Sequence, residues 1–197
     1  MNESLKNWMN IALKGESSSS TLNNLLQDIS SGATDSVKLN LIQSAWTICV
    51  NSFETGGSTL INVKKVLAAR EKLLLRLLTS ENTHIREATG ACLGYLYLNK
   101  KVPKHVIQNL VFHNDFDVRL SFVGALARSE IACKKTMRLI LQSLEEIKSL
   151  GSSEQRSDAN CFRMHISTEP VFKKTGMFRS LIEHILGYFR SLPPTRD

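Results

Sequence analysis

Residues 77–94 read LLTSENTHIREATGACLG, and residues 110–127 read LVFHNDFDVRLSFVGALA. Set 33 residues apart without a gap, Leu77 falls on Leu110, Leu78 on Val111, Asn82 on Asp115, Ile85 on Val118 and Arg86 on Arg119. The match continues through Ala88 and Ser121, Cys92 and Ala125, Leu93 and Leu126, and Gly94 and Ala127. Self-similarity at a period of roughly 20–50 residues marks an architecture of stacked repeats, in which each unit buries its apolar face against the next.

Outward from this pair the periodicity stays helical. Ile85, Ala88, Cys92, Leu93 and Leu96 form one stripe of a helix over 83–98, and Val118, Ser121, Phe122, Ala125 and Leu126 one of a helix over 116–128. Asp115 is placed to cap the second. A long helix is expected over 60–78, a short one opened by Pro103, and another over 131–150. Upstream, 22–29 and a helix begun at Asp35, with Leu41, Ile42, Ala45, Trp46 and Cys49 in register, read as a degraded first repeat. Residues 1–21 are expected to hold a short amphipathic helix and a flexible link through Ser17–Ser20. Residues 22–150 carry the repeats, 151–168 read as a mobile polar loop, and 169–192 as a capping helix whose apolar face of Phe178, Leu181, Ile182, Ile185 and Phe189 is also a candidate docking surface where the core leaves it uncovered. No segment alternates with a period of two, so the fold is expected to be all-α.

The Leu-Leu, polar turn, Ile/Val-Arg, small-residue pattern resembles the HEAT repeat family, with armadillo repeats as a close relative. Ile85–Arg86 and Val118–Arg119 carry the likeness, with Ala88, Ala91, Gly94, Gly124 and Ala125 as the small residues. The resemblance covers about two repeats and implies a right-handed α-solenoid of about three to four antiparallel helix pairs. It also implies that Asp115 and Asp117 cap a helix and meet Arg86 or Arg119 between repeats. The 33-residue period is shorter than the roughly 40–47 usual for HEAT units.

The chain has 197 residues and a net charge of +7. Residues 1–58 carry three Lys against five acids, whereas 59–197 carry 22 Lys or Arg against 13 acids. A basic body favours acidic partners. No stretch approaches the roughly 18 apolar residues of a membrane span. The first residues lack the basic and apolar regions of a signal peptide, so a cytoplasmic or nuclear location is expected. Cys49, Cys92 and Cys133 lie in apolar helical patterns and read as reduced core thiols, while Cys161 lies in a polar stretch.

Catalytic signatures are not found: there is no GxSxG, HExxH, Walker or dinucleotide-binding motif. Gly56–Gly57–Ser58–Thr59 lacks the Lys-Ser/Thr of a phosphate loop and reads as a helix-entry turn. Cys161 and His165 make a single C-x3-H pair with no second pair to complete a zinc site. No enzyme activity, metal or cofactor is expected.

Lysine doublets carry more information. They stand at Lys64–Lys65, Lys100–Lys101, Lys134–Lys135 and Lys173–Lys174, at separations close to the repeat length. Equivalent positions of stacked repeats line up in space. The doublets at 64, 100 and 134, with Lys104 and Arg138, are therefore expected to form a basic ridge along one edge. The function expected is a non-enzymatic protein-binding scaffold or adaptor in a larger intracellular complex, with partners bearing acidic segments. The alternative is a module that binds nucleic-acid backbone through the ridge.

Overall fold

The computed structural model describes residues 18–128, 131 and 133–167. The described residues are helical throughout, with turns between helices and no strand. The order is α1 (Ser18–Ser30), α2 (Asp35–Thr55), α3 (Gly57–Ala69), α4 (Glu71–Leu77) and α5 (Thr83–Leu96). Then come α6 (Lys104–Val106), which runs on as a π-helical turn (Ile107–Val111), α7 (Phe116–Leu126), α8 (Lys134–Leu150) and α9 (Ser153–Ser167).

One continuous core threads these helices. It starts with Leu22, Leu25 and Leu26 on α1 and passes through Ile42 and Ile48 on α2 to Ile85 and Leu93 on α5. It ends with Phe122 on α7, Ile140 and Leu144 on α8, and Phe162 on α9. The most extensive contact joins α5 to α7; α2 also lies against α5, and α7 against α9. Between them α1 packs on α2 and α3, and α8 packs on α9 and on the π-helical turn. Each helix thus meets near neighbours in the chain, as apolar stripes that recur every third or fourth residue require.

Glycine sets the closeness of the α5–α7 contact. A Cβ added at Gly94 would lie 2.5 Å from Ala125 Cβ and 2.7 Å from the Phe122 carbonyl oxygen. At Gly90 the Val118 carbonyl oxygen would be 3.0 Å away. The absence of side chains at these positions lets the two backbones come together.

The structure corrects several sequence expectations. The stretch 151–168, expected as a mobile polar loop, holds helix α9. A reciprocal capping box starts it: the Gln155 amide donates to Ser152 Oγ at 3.2 Å, and Gln155 Oε1 accepts from the Ser152 amide at 3.0 Å. Ala159, Phe162 and Ile166 then supply a narrow buried stripe, which periodicity in so polar a stretch does not reveal. Ser18–Ser20, expected in a flexible link, belong to the first turn of α1, where buried Thr21 and Leu22 anchor the chain.

The expected helix over 60–78 is two helices, broken at Arg70 (φ −109°, ψ 12°), whose guanidinium donates to Asn23 Oδ1 on α1 at 3.1 Å. The bend lets Leu67 pack on the first helix pair and Leu74 reach α5, and both are fully buried. Cys133 is not a core thiol: it is the half-buried residue that precedes α8. The expected helices at the two ends of the chain, including Phe178, Leu181, Ile182, Ile185 and Phe189, lie outside the described residues, as does Lys173–Lys174.

Candidate functional site

The turns that enter α5 and α7 share their internal wiring. Asn82 Oδ1 accepts from the His84 and Ile85 amides at 3.0 and 3.3 Å, and 33 residues on Asp115 Oδ1 accepts from the Asp117 amide at 3.0 Å. Arg86 donates to the Ser80 carbonyl at 2.8 Å, and its equivalent Arg119 donates to the His113 carbonyl. Each guanidinium also reaches a carboxylate from the next unit. Arg86 Nη2 lies 2.5 Å from Asp115 Oδ2, and Arg119 Nη1 lies 2.8 Å from Glu146 Oε2 on α8. The expected capping by Asp115 and its pairing with Arg86 are both present. Asp117 instead accepts from Gln155 Nε2 of α9 at 2.8 Å.

These turns gather the acidic side chains. Glu87 on α5 approaches His84 Nδ1 at 3.6 Å and accepts from Ser121 Oγ of α7 at 3.4 Å. Burial raises its carboxyl to about 8, and the nearby charge of Asp117 adds to the rise, with smaller contributions from Asp115 and Asp158. Glu145 on α8 is held by Arg163 of α9, 2.5 Å away, and by Lys148 at 3.3 Å. Asp115, Glu146 and Glu145 on this edge therefore meet guanidiniums of the same chain, whereas Asp117 and Glu87 take neutral hydrogen-bond donors.

The other edge, where α5 and α7 lead into the following helices, carries most of the lysines, with Glu71 of α4 among them, bonded to the Tyr97 hydroxyl and 3.6 Å from His105 Nε2. Lys64 projects from α3 and donates to the carbonyl of Leu98, just past the end of α5. Burial lowers its amine from the ordinary value, and Lys100 close by lowers it further. Lys101 in turn lies near Cys133. The Cys133 thiol is shifted toward thiolate, chiefly by the Thr136 amide and hydroxyl and the Lys135 amide, and then by Lys101. Electrostatic contact thus links Lys64 to Lys100, and Lys101 to the start of α8, where Lys134 and Lys135 stand.

Lys65, Lys100, Lys101, Lys104, Lys134, Lys135 and Arg138 are exposed, whereas Lys64 is half-buried. Among the described residues none of these eight lies within ion-pair distance of a carboxylate. The half-buried state of Lys64 and the field around Cys133 were not visible in the sequence, because both depend on the bend of the chain between helices.

The remaining polar candidates have structural partners. His165 Nε2 lies 2.8 Å from the Ala127 carbonyl oxygen, and Cys161 is exposed on α9. Gly56 and Gly57 adopt φ values of 69° and 54° and make the turn from α2 into α3, a left-handed path that glycine takes without steric cost. Cys49 and Cys92 face each other across α2 and α5 in full burial. The Cys49 thiol stays protonated because it bonds to Cys92 and lacks water. Comparison with protein-family models, curated proteins and solved structures finds no match to this chain.

Proposed function

We propose that this chain is a non-enzymatic scaffold of helical repeats, a right-handed α-solenoid that joins proteins within a larger assembly of the cytoplasm or nucleus. The supporting observation is the wiring repeated at 33 residues: equivalent caps at Asn82 and Asp115, and equivalent arginine-to-carbonyl bonds from Arg86 and Arg119. Units built alike and bonded to their successors extend a surface along one direction, which suits the binding of elongated partner segments. On this reading the units are α1/α2, α3–α4/α5, α6 with its π-helical turn/α7, and α8/α9.

Affinity capture of the tagged chain from its own cells tests the proposal, with washes at high salt and nuclease treatment. A protein that survives both treatments and re-forms a defined complex with the purified chain supports it. Recovery of the chain as a monodisperse monomer that retains no protein refutes it.

A further inference from the structure

We propose that the basic edge binds the phosphodiester backbone of a double-stranded or structured nucleic acid without reading its sequence. The inference rests on the distribution of charge and does not depend on the scaffold reading.

On the acidic edge Arg86 meets Asp115, Arg119 meets Glu146, and Arg163 meets Glu145. On the basic edge Lys65, Lys100, Lys101, Lys134 and Lys135 are exposed, and none has a carboxylate partner among the described residues. Like charges held together repel unless an outside anion meets them. The lowered amine of Lys64, beside Lys100, registers that repulsion together with burial.

Planar guanidinium suits bidentate contact with carboxylate, whereas lysine is a hydrated point charge that suits phosphate. Arg86, Arg119 and Arg163 each hold a carboxylate of this chain, whereas the exposed cations of the open edge are lysines apart from Arg138.

Packed helices lie about 8–10 Å apart, so the three doublets, on α3, past α5 and at the start of α8, span roughly 20 Å. At a rise of about 3.4 Å per phosphate along one strand, that length covers about six phosphates, comparable with the five exposed lysines. No Phe, Tyr or Trp among the described residues is exposed, so the edge offers no platform on which unpaired bases could stack. Backbone contact to a duplex is what remains.

The test is fluorescence anisotropy of the full chain with a labelled random-sequence duplex over roughly 50–200 mM salt. Each neutralised phosphate contributes about 0.9 to the slope of log affinity on log salt. Lys100→Gln/Lys101→Gln and Lys134→Gln/Lys135→Gln should each lower that slope by about 2 and together by about 4, with more than a tenfold loss of affinity at low salt. Lys100→Arg/Lys101→Arg should keep the slope and checks that the edge remains folded.

A control removes the same charge elsewhere: Lys148→Gln/Arg156→Gln. Lys148 lies 14 residues along α8 from Lys134, about 20 Å away at 1.5 Å per residue. This control should leave the slope unchanged. Equal loss in the control, or absence of binding at low salt, overturns the proposal. Competition by polyglutamate or by phosphatidylserine vesicles as strong as that of a charge-matched duplex also overturns it, and assigns the edge to an acidic protein or to a lipid surface.

Discussion

Glu87→Gln should stabilise the protein, and increasingly so as pH rises. Glu87 is the acid whose surroundings most oppose its charge: its side chain is 18% exposed, and burial and then Asp117 raise its carboxyl from an ordinary 4.5 to about 8. Between those values the folded state binds a proton that the unfolded state has released. Stability therefore falls as pH rises through this window. Below about 4.5 both states are protonated and the cost vanishes; above about 8 it is complete.

At about 1.4 kcal/mol for each pH unit of displacement, the ceiling is about 5 kcal/mol. Water reaching the exposed part of the side chain reduces this, and about 2–3 kcal/mol is expected. Gln has nearly the same shape, keeps an oxygen for the Ser121 hydroxyl, and carries no charge at any pH. Urea unfolding of both proteins at pH 4, 6 and 8.5 should give equal stability at pH 4 and a gain of about 2 kcal/mol or more at pH 8.5. The corresponding rise in Tm is about 4–8 °C for a chain of this size. Parallel pH profiles for the two proteins, or a less stable Glu87→Gln at pH 8.5, would refute the reasoning.

The other consequences concern packing, capping and thiols. Gly94→Ala should destabilise by about 1–3 kcal/mol in chemical denaturation, since the new methyl meets the Ala125 side chain and the Phe122 backbone. The clash outweighs the gain of about 1 kcal/mol that Ala brings to a helix interior. Asn82→Ala removes a cap and should cost about 1 kcal/mol, whereas Asp115→Ala at the equivalent position also removes the carboxylate partner of Arg86, which keeps the Ser80 and Glu81 carbonyls, and should cost about 2–4 kcal/mol. Equal losses at the two sites in urea unfolding would show that the Arg86 contact contributes nothing. In maleimide labelling of the native protein Cys133 should react first and Cys161 next, while Cys49 and Cys92 stay protected until unfolding. Early modification of Cys49 would contradict its burial.

The fold was legible where one residue type has one structural use. The offset between Asn82 and Asp115 and that between Arg86 and Arg119 both survive as matched hydrogen bonds, because caps and the arginines that reach back to the turn depend on local geometry. Helix α9 was missed for the opposite reason. Its buried stripe, Ala159, Phe162 and Ile166, is thin, and it forms because α7 and α8 are already there to receive it. The start signal was nonetheless in the sequence, since Ser152 and Gln155 are spaced as a capping box. Nor could periodicity place the break at Arg70: the apolar pattern runs on through it, and the bend follows from contacts to Asn23 and α5.

The basic edge was legible only in part, and the reason bears on what it can bind. Doublet spacing led to the expectation that Lys64, Lys100 and Lys134 line one edge; the structure shows Lys100 acting on Lys64 and Lys101 acting on Cys133. Spacing says nothing about compensation, which depends on where the acids fall. Asp115 caps α7 and Asp117 lies in its first turn, where a carboxylate is favoured by the helix dipole, and the lysine doublets at 100 and 134 follow the far ends of α5 and α7. Arg86 and Arg119 meet Asp115 and Glu146 from within the chain, whereas Lys100, Lys101, Lys134 and Lys135 have no carboxylate within ion-pair distance among the described residues, and that difference is what the salt dependence of duplex binding would read.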